Sequence, residues 1–139
     1  MAGAFSTLLA QWVLIPQLRL TPPALMRWGT LLAAVGTAGI AVSGSLYALV
    51  LAFALMSMGY GLARPGFTAG ASLAVSRAEQ GGVAGAVTSV NGSCFIMAPA
   101  IGIGLYQIGP SVTYWLGAAA LVALAVYAFT QPALGREPG

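Results

Sequence analysis

Side chains able to do chemistry are few in this sequence, so where each one stands matters. There is no histidine, lysine or aspartate; the acids are Glu79 and Glu137, and the bases are Arg19, Arg27, Arg64, Arg77 and Arg136. Acid–base or nucleophilic catalysis needs a base, a paired group or a metal converging on one site. This inventory offers no such set, so an enzyme is not expected, and neither a metal nor any other cofactor is. Cys94, the one cysteine, can neither staple the fold nor complete a metal site alone. No cation flanks it in sequence to hold a thiolate, so it reads as a small buried apolar residue.

The polar groups that remain sit inside apolar sequence, where they can recognise a solute or another helix rather than transform a substrate. Thr88, Ser89, Asn91 and Ser93 fall in the middle of one long apolar run, and Arg64 falls late in another. Lipid exposure of such groups is costly, so each must face protein or water, or reach an interface. Met58 and Phe95, with Met56, can line an adaptable apolar pocket or pack against lipid and other helices.

The elements that position these residues follow from composition. Apolar residues make up 59% of the 139-residue chain and charged residues 5%, with mean hydropathy +0.91. An ordinary globular domain is about half apolar and a quarter charged, so this chain is read as all-α and transmembrane. Its formal charge of +3 comes from scattered arginines. A nucleic-acid surface needs clustered basic charge, and none is expected here.

A helix crossing a hydrocarbon layer of about 30 Å needs roughly 20 apolar residues. Five such spans emerge, at about 2–18, 26–42, 46–72, 82–108 and 112–130, followed by a short polar tail at 132–139. Between them stand Arg19 with Pro22-Pro23, Ser43-Gly44-Ser45, the Ser76–Gly82 stretch and Gly109-Pro110, all strong turn signals. No signal-peptide pattern opens the chain. The first span starts at Ala2 without a polar lead-in, which implies further chain upstream.

Arginines in short loops mark the cytoplasmic side. Arg19, Arg27 and Arg77 fall in alternate connections and Arg136 in the tail, while the other two connections are uncharged. The N-terminus is therefore expected outside and the C-terminus in the cytoplasm of an inner or plasma membrane. Trp28, Tyr47, Tyr106, Tyr114 and Trp115 lie near span ends, where interfacial aromatics belong.

From Gly59 onward the order of glycines, prolines and polar residues becomes specific: Gly59-Tyr60-Gly61, Arg64-Pro65-Gly66, Glu79-Gln80-Gly81-Gly82, Gly85, Ala98-Pro99, Gly102, Gly104, Tyr106 and Gly109-Pro110. This arrangement resembles the end of a major facilitator superfamily transporter, most closely the bacterial drug-efflux and tetracycline-antiporter branch. Leu14–Arg19 followed by Leu25-Met26-Arg27-Trp28-Gly29 is similar to an inner loop of that superfamily's C-terminal half, with its basic-and-acidic signature degraded. The resemblance implies the eighth to twelfth helices of a twelve-helix carrier that exports a small organic solute or drug by alternating access. Five helices cannot do this alone, so the implied partners are the bilayer, the missing N-terminal half and the solute.

Within that frame the transport-pathway candidates are Arg64, Thr88, Ser89, Asn91, Met58 and Phe95. Arg64 either snorkels to inner headgroups or faces a cavity and pairs with an acid from the missing half. Pro65 frees the Gly61 carbonyl and Pro99 frees that of Phe95; with Gly102, these mark helix-break or gating points. Small residues let helices approach closely in lipid, which nominates Gly66 with Gly70, and the stripe Gly81, Gly85, Ser89 and Ser93, for packing. No carboxylate lies within a span, so a proton-binding acid would have to come from the other half. The alternative is a standalone small membrane protein that scaffolds or regulates a partner through those same stripes.

Overall fold

The computed structural model describes residues 6–8, 10–14 and 21–130. The expected first span at 2–18 is described only as helix at 6–8 and a π-helical turn, Ala10–Leu14. The rest of that span, Arg19, Arg136, Glu137 and the expected tail at 132–139 lie outside the described residues.

Four long α-helices follow: α1, Pro22–Val42; α2, Leu46–Leu73; α3, Gln80–Ile108; and α4, Pro110–Thr130. Each is long and apolar enough to cross a membrane. Three begin earlier than the turn signals implied, two of them for one reason. Proline has no amide hydrogen to lose in the first turn and its fixed φ suits a helix start, so Pro22-Pro23 and Pro110 open helices rather than separate them. Pro65 and Pro99 both lie inside unbroken helices.

The connections are built from local hydrogen bonds. Ser43 Oγ donates to the Ile40 carbonyl at 2.9 Å, and the Ala48 amide donates to Ser45 Oγ at 3.2 Å, so one serine closes α1 and the next caps α2. Between α2 and α3, the Ser76 hydroxyl and amide both donate to Glu79 Oε2, at 2.6 and 3.2 Å. These bonds close the turn that leads into α3, whose N-cap is Glu79. They hold the Glu79 carboxyl below its ordinary range, first through the hydroxyl and then through the amide.

Two antiparallel helix pairs supply the packing, and α1 belongs to both. On one face, Gly29, Ala33 and Gly36 of α1 meet Ala63, Gly59 and Met56 of α2 in turn. A Cβ added at Gly29 would stand 2.5 Å from the Ala63 nitrogen, and one at Gly66 would stand 2.8 Å from Leu25 Cβ. Backbones this close need glycine at the crossing, which is how helices gain dispersion contacts in lipid. Leu25 and Leu62 form a small apolar cluster against the same seam, with Leu32 and Met58 packed on it.

The other face of α1 meets α4. Thr37, whose hydroxyl returns to the Ala33 carbonyl at 2.7 Å, lies against Gly117. Ala118, Ala125 and Ala128 are the buried residues of α4. At the far end, Arg27 Nε donates to the Ala128 carbonyl at 3.0 Å, and its guanidinium stands 5.5 Å from the Phe129 ring centroid. A cation there satisfies an orphan carbonyl and suits the negative end of the helix dipole.

The helix α3 is different, because none of its residues is buried. Ile96 and Phe95 are 79% and 77% exposed. At 29 residues it is about 44 Å long, well beyond a hydrocarbon layer of about 30 Å, so it must tilt or extend past the layer.

Candidate functional site

Helix α2 carries two stripes about a quarter-turn apart. Ala52, Met56, Gly59, Ala63 and Gly66 recur every three or four residues and face α1. Phe53, Ser57, Tyr60, Gly61 and Arg64 follow the same period one residue out of phase. That second stripe lines an open cavity of about 360 Å³, bordered on the other side by Thr7 and Gln11 of the N-terminal segment. Thr7 Oγ1 donates to the Ser57 carbonyl at 3.2 Å, which ties the segment to α2. Gln11 belongs to the π-helical turn, a form that recurs at functional sites.

The wall is rich in donors: the Arg64 guanidinium, the Tyr60 and Ser57 hydroxyls and the Gln11 amide. Pro65 contributes indirectly, since its missing amide leaves the Gly61 carbonyl without a helical donor. Arg64 is exposed within the chain. Its depth follows from the register. Ala63 backs onto Gly29, and Gly66 onto Leu25 and Met26, which sets Arg64 about level with Arg27 near the start of α1. Among the described residues the only carboxylate is Glu79, whose partner is Ser76 in the α2–α3 connection, and no ion pair reaches Arg64.

A second cavity, also about 360 Å³, opens between α1, α2 and α4 toward the other end, lined by Ile40, Leu49, Val50, Phe53, Met56 and Tyr114. Its lining is almost wholly apolar and can accept only lipid chain or apolar solute.

The structure brings together some of the residues singled out above and separates others. Arg64 and Gly61 share the polar cavity, with Pro65 beside them. Met58 stands in the Leu25–Leu62 cluster. Thr88, Ser89, Asn91 and Ser93 lie on exposed α3, each returning a hydrogen bond to its own helix: to Ala84, Gly85, Val87 and Ser89 carbonyls at 2.8, 2.9, 3.1 and 2.9 Å. Neither cavity takes a residue from α3.

Among the packing candidates, Gly66 is buried against α1, and a Cβ on Gly70 would come no nearer than 3.9 Å to Met26 Sδ. No described residue would come within 4 Å of a Cβ on Gly81, Gly85 or Gly102. Cys94 is exposed on α3, which corrects the expectation that it is buried; no described residue covers that length of the helix.

Sequence reasoning did not single out Gly29, Ala33 and Gly36, nor Arg27 as the group that ends α4, nor Thr7, Gln11, Ser57 and Tyr60 as companions of Arg64. The first set was legible as small residues at three- and four-residue spacing, matched by Ala52 to Gly66. The others depend on contacts between distant segments. The chain has no match among family models, curated proteins or solved structures.

Proposed function

We propose that this chain forms part of a secondary carrier of the major facilitator type, in which α3 faces the path of a small organic solute moved by alternating access. One observation carries the reading: α3 touches α2 and α4 only sparsely, and its polar centre is exposed among the described residues. Thr88, Ser89, Asn91 and Ser93 satisfy their donors within the helix, yet the Asn91 amide keeps acceptor and donor capacity to spare. Lipid offers nothing to meet it. A second helical bundle or a water-filled path does. The order of glycines and prolines from Gly59 to Pro110, which resembles such carriers, supports the same reading.

Arg27, at the start of α1, and Arg77, after the end of α2, fall at one end of the antiparallel pair. Positive charge in short connections favours the cytoplasmic side, so that end is proposed to face the cytoplasm of an inner or plasma membrane. Coupling to protons would then draw on a carboxylate outside the described helices.

The native Cys94 gives the test, since it lies three residues from Asn91 and so shares its face. The chain is co-expressed with the N-terminal bundle of a drug-efflux carrier of that superfamily. Export of a fluorescent drug is measured beside labelling of Cys94 by a membrane-impermeant maleimide. Export together with labelling that the drug blocks is the expected result. No export in any pairing, with Cys94 reacting only with a lipid-soluble maleimide, refutes the proposal. Stable capture of an unrelated membrane protein through α3 would favour the scaffold alternative instead.

A further inference from the structure

We propose that the cavity between the N-terminal segment and α2 binds the anionic head of an amphipathic molecule, a carboxylate or phosphate, with Arg64 as its counter-charge. Binding goes beyond the carrier reading and stands without it. A guanidinium carried within a helix apolar enough to cross a membrane needs a compensating anion or access to water. No described carboxylate supplies one. The cavity beside it has the volume of a small-molecule site, about 360 Å³, within the ordinary range of roughly 300–1,000 Å³.

The lining also selects the shape of the ligand. Arg64 stands at one end and Phe53 at the other, eleven residues and about 16 Å apart along α2, with Tyr60 and Ser57 between them. A charged head and an apolar body therefore find their surroundings in that order. Arginine suits the head, because its planar fork can donate twice to a carboxylate or phosphate. Membrane phospholipid and free amphipathic acid share this chemistry.

The experiment uses the full chain in phosphatidylcholine nanodiscs, with Trp28→Phe and Trp115→Phe leaving Trp12, the neighbour of Gln11, as the reporter. One arm adds phosphatidylglycerol brominated on its acyl chain; the other adds a brominated fatty acid from water. Brominated phosphatidylcholine and the fatty acid's methyl ester serve as neutral controls. Saturable quenching by either anion beyond its neutral control is expected, and which arm responds identifies the source. Arg64→Gln should weaken that binding about tenfold or more, as loss of a charge-assisted hydrogen bond does. Arg64→Lys should retain most of it, and circular dichroism checks that both variants fold. Equal quenching by anionic and neutral probes in both arms, or unchanged affinity in a folded Arg64→Gln variant, overturns the proposal.

Discussion

Replacing Gly59 by alanine tests the central packing claim at its tightest point. The added methyl would stand 2.6 Å from the Gly29 carbonyl oxygen and 2.8 Å from Ala33 Cα, where ordinary contact begins at 3.4 Å. Both neighbours are backbone, so no side chain can rotate away, and α1 and α2 must part by about 1 Å. A gap of that size forfeits a quarter to a half of each dispersion contact along the seam. Overpacking of this kind costs roughly 1–3 kcal/mol, and the upper half of that range is expected here because both clashing groups are rigid. Gly85→Ala is the matched control on α3: with no described atom within 4 Å of its Cβ, it should be neutral or stabilise by up to about 1 kcal/mol through helix propensity. Gly36→Ala meets Met56 Cα at 2.6 Å across the same seam. One separation relieves both clashes, so the double variant should cost less than the two single variants together. Reversible unfolding in mixed micelles, followed by circular dichroism at increasing SDS fraction, measures all four. If Gly59→Ala matches Gly85→Ala, or the pair is additive, the close-packed seam does not exist as described.

Arg27→Gln removes the charge-assisted bond to the Ala128 carbonyl and the approach to Phe129, and should destabilise the chain by about 1–2 kcal/mol. Faster amide exchange confined to the last turn of α4 would mark the cause. Ser45→Ala removes the cap of α2 and should cost up to about 1 kcal/mol, read as fraying of residues 46–49 by the same exchange measurement. Because Ser76 lowers the Glu79 pKa, its contribution to the turn is complete above the ordinary carboxylate pKa and is lost as pH falls through the lowered value. Ser76→Ala should raise the Glu79 midpoint toward the ordinary value in a carbon-13 titration; an unmoved midpoint would disprove the hydrogen bond's role.

Which segments become helices was legible from composition and local punctuation. Apolar runs separated by Ser43-Gly44-Ser45 and Gly109-Pro110 leave helix as the backbone state that satisfies its own hydrogen bonds in lipid, and α1 to α4 follow those runs. The polar centre of α3 and the place of Arg64 late in an uncharged run were legible for the same reason, since each is a property of a single helix. The extension of α1 back to Pro22 needed only the rule that proline fits a first turn.

Partner choice was not local. Gly81, Gly85, Ser89 and Ser93 on α3 make a small-residue stripe as regular as Gly29, Ala33 and Gly36 on α1, yet among the described residues only the α1 stripe is covered. A small residue lowers the steric cost of approach on any helix, but it takes an opposing backbone to turn that allowance into contact. The short Ser43–Ser45 connection folds α2 back along α1 and supplies that backbone, and α4 takes the remaining face of α1. Tertiary packing likewise set Thr7 and Gln11 beside Arg64 and Arg27 against the end of α4, because each contact joins residues whose separation in sequence carries no periodic signal.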